Sequence, residues 1–191
     1  MALVMTSGPG IEPVTIADAK AHLRIDNASE DVLIGSLILT SRLHIEAALS
    51  VAMITQMWTL VLDRWPVGDT VEIPLSPLQA VPAVRVKNAS GVGVVVPPTN
   101  YLVDIASRPP RLVWNQAWRP DPGVAVNGIE IDLTAGFGIG ATSVPAPLKH
   151  AILLLVAHWY EHRDPVEIGA SEARIPDAVT DLIAPFRKIR L

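Results

Sequence analysis

Three residues near the carboxyl-terminal end have the types and spacing for metal chemistry: His158, Glu161 and His162, in the order H-x-x-E-H. On a helix the two histidines lie one turn apart, as in zinc hydrolases that use the glutamate as a base. Zinc needs a third protein ligand, and the only glutamates that follow are Glu167 and Glu172. The alternative, which we favour, is a helix end where histidine stabilises the negative pole of the helix dipole.

These residues lie in the segment 145–165, which the sequence predicts to be a helix. Pro145 and Pro147 fall in the opening turn, where a missing N–H costs nothing. A step of 100° per residue places one group of apolar residues on a broad arc: Leu148, Ala151, Ile152, Leu155, Val156 and Trp159. Apolar residues also occupy the other side, so we expect burial within the domain or against another copy. The helix is too short and too polar at its ends to span a membrane.

Other patterns that could indicate catalysis or cofactor binding are weak. The run Gly136-Phe137-Gly138-Ile139-Gly140 follows a predicted strand, but no second parallel strand follows it as a dinucleotide fold requires. No G-x-S-x-G elbow is present, so we nominate no catalytic triad. The sequence predicts no enzyme, no cofactor and no catalytic residue. Five tryptophans suit cores and interfaces, and we expect Trp114 and Trp118 at an interface.

The composition indicates a globular protein without a nucleic-acid clamp. Half of the 191 residues are apolar, the net charge is -4, and there is no cysteine. A dedicated nucleic-acid binder would show a basic excess on one face. The absence of cysteine excludes disulfides, thiolate metal sites and cysteine nucleophiles. The first ten residues lack a basic start and a long apolar run, so we expect neither signal nor anchor, and synthesis in the cytoplasm.

The chain divides into three zones of different composition. Residues 1–52 predict helices, residues 53–140 predict short strands, and residues 141–191 predict helices and a short tail. Twelve of the 17 prolines lie between Pro66 and Pro147, which favours short strands and many turns. We therefore predict an α+β fold: a small helical bundle of amino-terminal and carboxyl-terminal helices with an inserted, short-stranded antiparallel β lobe, forming one domain.

The order of several segments carries a resemblance that covers nearly the whole chain. The segments are 13–26 (PVTIADAKAHLRID), 54–66 (ITQMWTLVLDRWP), 73–81 (IPLSPLQAV), 134–138 (TAGFG) and 144–165 (VPAPLKHAILLLVAHWYEHRDP). In this order they resemble the head-tail connector, or adaptor, proteins of long-tailed phages, prophages and bacterial gene transfer agents.

The resemblance implies a structural protein of the particle neck, assembled in the bacterial cytoplasm. Members of this family form a ring of about twelve copies beneath the portal protein. The ring extends the DNA channel, without sequence-specific DNA binding, and connects to a stopper or tail-completion protein. Another neck ring protein, such as a tail terminator, is the nearest alternative, and a zinc hydrolase is a more distant one.

The resemblance also implies two contact sets on this chain. The ring contact is expected at Leu148, Ile152, Leu155, Val156 and Trp159. The portal contact is expected at Arg187, Lys188, Ile189, Arg190 and Leu191, which alternate basic and apolar types. We expect this tail to become ordered on binding, because so short a segment cannot fold alone.

Overall fold

The computed structural model describes residues 1–115, 119–162 and 175–187. The chain forms two compact units, each built from two separate stretches. The β unit comprises residues 1–9 and 50–137, and the helical unit comprises residues 10–49 and 138–191.

The larger sheet of the β unit has the strand order β1-β2-β9-β5-β6, with β4 also paired to β9. Its pairings are all antiparallel. The strands are β1 (Ala2–Ser7), β2 (Gln56–Leu62), β4 (Leu78–Ala80), β5 (Val84–Lys87), β6 (Gly93–Val95) and β9 (Ile129–Ala135). A smaller antiparallel sheet has the order β3-β8-β7, with β3 (Thr70–Glu72), β7 (Tyr101–Asp104) and β8 (Arg111–Trp114).

Alternation of buried and half-exposed residues along β9 shows how the β unit forms its core. Ile129, Ile131 and Leu133 are buried, while the residues between them face the outer side of the sheet. Their apolar side chains belong to a cluster that includes residues of both sheets. Trp65 and Trp114 meet edge to face in this cluster, with ring centroids 4.9 Å apart.

The described part of the helical unit contains α1 (Ile16–Leu23), α2 (Asp31–Leu49), α3 (Ala146–Glu161) and α4 (Asp177–Ile183). A capping box begins α1, because the Thr15 and Asp18 side chains each accept a hydrogen bond from the other residue's backbone N–H. Arg24 ends α1 in the left-handed conformation, with φ of 59°. Helix α3 packs against α1, α2 and α4.

The predicted small helical bundle with an inserted β lobe is wrong. Within the described residues, four helices and nine strands in two antiparallel sheets form a mixed α+β structure. The β unit has its own large core. Sequence patterning predicted short strands but could not reveal pairings such as that of β2 with β9, whose partners are about seventy residues apart. Strand β1 was also not predicted.

Helix α2 is long and apolar enough to cross a membrane by length and composition. Its buried face carries a charged side chain, Arg42, which is ion-paired within the helical unit. A core helix of a globular unit passes the same test of length and hydropathy, and the packing of α2 against α1 and α3 agrees with that role.

Gly136 stands where the chain leaves β9 and passes close to the backbone of residues 54 and 55. Its φ is 142°, and a Cβ atom there would lie 2.6 Å from the Thr55 nitrogen. The Gly136 carbonyl accepts a hydrogen bond from the Gln79 side chain at 2.8 Å. This close approach accounts for glycine at 136 and agrees with a structural role for the glycine-rich run.

We expect Gly136→Ala to lower the free energy of unfolding by about 2 kcal/mol or more, because a strained backbone and a backbone clash combine. Urea denaturation measures the change. Gly10→Ala is the matched control, since nothing lies within 4 Å of its Cβ position. Equal stabilities of the two variants would contradict this account.

Candidate assembly surfaces

The H-x-x-E-H residues lie at the end of α3. His162 Nδ1 lies 2.9 Å from the carbonyl oxygen of His158, and the centroids of their rings are 4.8 Å apart. His158 Nε2 is buried without a hydrogen-bond partner among the described residues. In the part of the chain that the structure describes, no three His, Asp or Glu side chains form a group that could hold a metal. Glu167 and Glu172, the expected third ligands, lie outside the described residues.

Four of the five residues expected at the ring contact are instead in the core of the protomer. Leu148, Ile152, Leu155 and Val156 are all fully buried. A neighbouring copy cannot contact them without opening the helices, so the structure corrects the expectation for these four. Trp159 is half-buried and packs edge to face on His44, with ring centroids 5.9 Å apart.

Of the residues expected at the portal contact, the structure describes only Arg187, which follows the last helical turn in an extended conformation. Lys188, Ile189, Arg190 and Leu191 lie outside the described residues. The expectation of an interface tryptophan pair fails at Trp114, which is only 5% exposed, in the core of the β unit. Trp118 lies outside the described residues.

Helix α2 carries its charges on the inside. Besides Asp31 in the first turn, its charged residues are Arg42 and Glu46, and both are buried. The Arg42 guanidinium makes two hydrogen bonds to Glu12, at 2.7 and 3.2 Å, and one of 2.7 Å to Glu46. This Arg42 cluster ties the segment before α1 to α2.

The electrostatics of the Arg42 cluster keep its cation charged. Burial by itself would lower the pKa of Arg42, but the hydrogen bonds to Glu12 and the charge of Glu46 outweigh it and raise the pKa. The Arg42 side chain is only 4% exposed. Removing the cation would therefore take from buried Glu46 and partly exposed Glu12 the positive charge that they share.

The exposed arc of α2 that adjoins this cluster is uncharged. We call this face the α2 stripe. Successive members lie one, three or four residues apart and share an arc of about 100°: Val32, Ser36, Leu39, Thr40, Leu43 and Ala47. Val32 is 89% exposed, and Leu39 and Leu43 are each a little over 40% exposed. The Thr40 hydroxyl donates to the Ser36 carbonyl, so it is satisfied within the helix.

The outer face of the larger sheet, in contrast, is charged and internally paired. Arg85 makes two hydrogen bonds of 2.6 Å to Asp132, and Lys87 lies 2.9 Å from Glu130. The hydrogen bonds from Arg85 lower the pKa of Asp132, and the one from Lys87 lowers that of Glu130. These four charges cancel, so the charged side chains described on this face neutralise one another.

Comparisons with known proteins agree on one family. The family model described as Phage gp6-like head-tail connector protein matches residues 13–92. No curated protein sequence matches the chain.

Solved structures of gene transfer agent particles contain chains that match this chain over its full length. A chain in the virion of a native gene transfer agent particle is 29% identical, with a TM-score of 0.86. A chain in the neck of an empty particle, computed with C6 symmetry, is 30% identical, with a TM-score of 0.84. A chain in the neck of a native particle, computed with C12 symmetry, is 29% identical, with a TM-score of 0.76. Each match covers 100% of this chain and 97% of the other.

We expect Arg42→Met to lower the free energy of unfolding by about 3–5 kcal/mol, because Glu12 and Glu46 lose their shared cation. Lys20→Met is the control, since the Lys20–Asp31 pair at 2.8 Å is more exposed and should contribute less than about 1 kcal/mol. Urea unfolding of both variants measures the difference. An Arg42→Met cost no greater than that of Lys20→Met would contradict the proposed role of the cluster.

Proposed function

The chain belongs to the Phage gp6-like head-tail connector family, and on that premise we propose that it joins head to tail as a structural protein of the particle neck. The observation that carries this conclusion is the full-length likeness to a neck chain at 30% identity. Its place is therefore the neck of a virion or gene transfer agent particle. We propose that it acts without catalysis, by contacts alone.

The chain acts as a ring of identical copies. Similar neck chains occur in assemblies with sixfold and twelvefold symmetry, which supports cyclic assembly of about twelve copies. A cyclic ring uses two different surfaces of each copy, which meet head to tail. Each of these surfaces must be exposed in the free protomer and able to lose water at low cost.

The α2 stripe meets both requirements and replaces the buried residues as the ring contact. Exposed apolar side chains gain about 25 cal/mol for each Å² of apolar surface that a neighbour covers. The stripe carries no charge that would have to be desolvated. Its polar members are small, and Thr40 already has a hydrogen-bond partner in the helix. Half-buried Trp159 of α3 stays in the proposal as a further ring residue.

The charge of the chain fits a conduit for DNA. With a net charge of -4 per copy, the ring has no excess of basic side chains to bind the phosphates of DNA. Cationic contacts supply most of the non-specific affinity for DNA. We therefore propose that DNA passes through the ring without sequence-specific binding.

The portal protein and a stopper or tail-completion protein are the proposed partners on the two sides of the ring. The segment Arg187, Lys188, Ile189, Arg190 and Leu191 is the proposed portal contact. Its three cations and two aliphatic side chains suit a surface with acidic and apolar patches.

We expect the double variant Leu39→Glu/Leu43→Glu to fold normally and to fail in assembly, because burying two carboxylates at a subunit contact is costly. Purified particles should contain at least tenfold less of the variant, measured by quantitative mass spectrometry, and should lack tails. Circular dichroism and urea unfolding check the fold.

The control for the stripe variant is Val67→Glu, which changes a fully exposed valine of the β unit to the same acid. It should enter particles normally. Normal incorporation of Leu39→Glu/Leu43→Glu would refute the α2 stripe as a ring contact, while leaving the connector function in place.

Deletion of residues 187–191 should abolish co-purification with the portal protein and leave the unfolding midpoint unchanged, because the deletion begins after the last described helical turn, Ala184–Phe186. A variant with alanine at Arg187, Lys188 and Arg190 separates charge from apolar contact. Retained portal binding by the deletion variant would contradict the assignment of residues 187–191 as the portal contact.

A further inference from the structure

Gly35 lies in the interior of helix α2, where glycine weakens a helix. It stands four residues after Asp31, the first residue of the helix. Apart from proline, glycine is the least favourable residue at such a position, because it loses the most backbone freedom on folding. A glycine that is kept at this cost commonly marks a place where another group approaches the backbone closely.

Within the described residues, no contact requires the missing side chain at Gly35. A Cβ atom there would have one neighbour within 4 Å, the Ile16 Cδ1 atom at 3.7 Å, which is an ordinary van der Waals distance. The backbone of Gly35 belongs to a regular α-helix and is not in the left-handed conformation. The described protomer would therefore accept alanine at this position, in contrast to Gly136, where a Cβ atom would clash with backbone.

The missing side chain opens a depression at the border of the α2 stripe. Residues three and four apart are neighbours on a helix surface, so Gly35 and Ser36 lie between Val32 and Leu39. In knobs-into-holes packing, four neighbouring residues of one helix form the hole that receives a side chain of a facing helix. We call the group Val32, Gly35, Ser36 and Leu39 the Gly35 socket. Its two middle members have the smallest side chains, so the socket is open to a large knob.

The surroundings of the Gly35 socket favour an apolar occupant. Val32 is 89% exposed, and Ile16 of α1, which adjoins Gly35, is 39% exposed. Asp31, one turn before Gly35, is already paired with Lys20 at 2.8 Å. The socket itself carries no charge. A charged side chain placed there would lose water without gaining a partner in the socket, whereas an apolar one would gain from burial.

We propose that an apolar side chain of the neighbouring copy in the ring occupies the Gly35 socket, so that Gly35 determines how closely two copies approach. Similar neck chains occur in assemblies with sixfold and twelvefold symmetry, and neighbours in a cyclic ring meet through such a contact on every copy. Three of the four socket residues belong to the α2 stripe. This inference rests on the proposed function, and it adds a residue that the exposure of apolar side chains does not identify.

The test uses Gly35→Ala and Gly35→Leu, which fill the socket to different extents. Both variants should keep or raise the urea midpoint of the free protein, because alanine and leucine are better helix formers than glycine. Their incorporation into purified particles, measured by quantitative mass spectrometry, should fall at least threefold for alanine and at least tenfold for leucine. Higher stability together with poorer assembly is the signature of a glycine that serves a contact between copies.

The control is Ala48→Leu, which enlarges a side chain at an exposed position of α2 outside the α2 stripe. It should enter particles normally. Normal incorporation of folded Gly35→Leu would overturn the inference, and should that variant fail to fold, normal incorporation of Gly35→Ala would do so. A lowered urea midpoint of Gly35→Ala would also overturn it, because the glycine would then be needed within the protomer.

A crosslinking experiment identifies the occupant. Particles are assembled with a photo-crosslinking amino acid in place of Ile16, beside the socket, and are then irradiated. A covalent dimer of this chain should appear on a denaturing gel. The same amino acid at Leu102, a 62% exposed position of β7 in the smaller sheet, should not give this dimer. No link, or links only to a different protein, would refute the neighbouring copy as the occupant.

The outcomes also separate this inference from the proposed function. If the Gly35 variants enter particles normally while Leu39→Glu/Leu43→Glu does not, only the Gly35 socket is refuted. If the unmodified chain is absent from purified particles, the connector function fails, and this inference fails with it.

Discussion

The pairing of Arg42 with Glu12 and Glu46 helps to determine which face of α2 is buried and which is exposed. By holding the charges of α2 inside the unit, this cluster fixes the rotation of the helix about its own axis. The uncharged arc then has to face outward. A buried ion pair adds little net stability over an apolar equivalent, but it penalises every arrangement in which its charges are separated. In α2 that specificity keeps an uncharged arc exposed.

The helical unit and the β unit differ in the interactions that shape their surfaces. In the helical unit, helix packing and the Arg42 cluster hold the helices in one arrangement. That arrangement leaves one uncharged face of α2 exposed. In the β unit the outer charges are matched on the sheet itself, so the sheet can be placed among other proteins without long-range attraction or repulsion.

Sequence patterns correctly predicted the features that depend on residues close together in the chain. Thr15 with Asp18 marked the start of α1, and the two prolines at 145 and 147 marked the start of α3, because caps and first-turn prolines act locally. The apolar arc of α3 was read correctly as buried, but periodicity cannot tell a protomer core from a subunit contact. The Arg42 cluster was missed because Glu12 lies thirty residues away, and β1 because its partner is more than fifty residues away.

The exposed, uncharged arc of α2 also has a consequence for the cell that makes this protein. Exposed apolar side chains associate with other apolar surfaces, including those of partly folded copies, and that side reaction grows with the concentration of free protein. A small pool of unassembled copies therefore limits this side reaction. Selection would then act on the amount and timing of synthesis of this chain, and not on its stability alone.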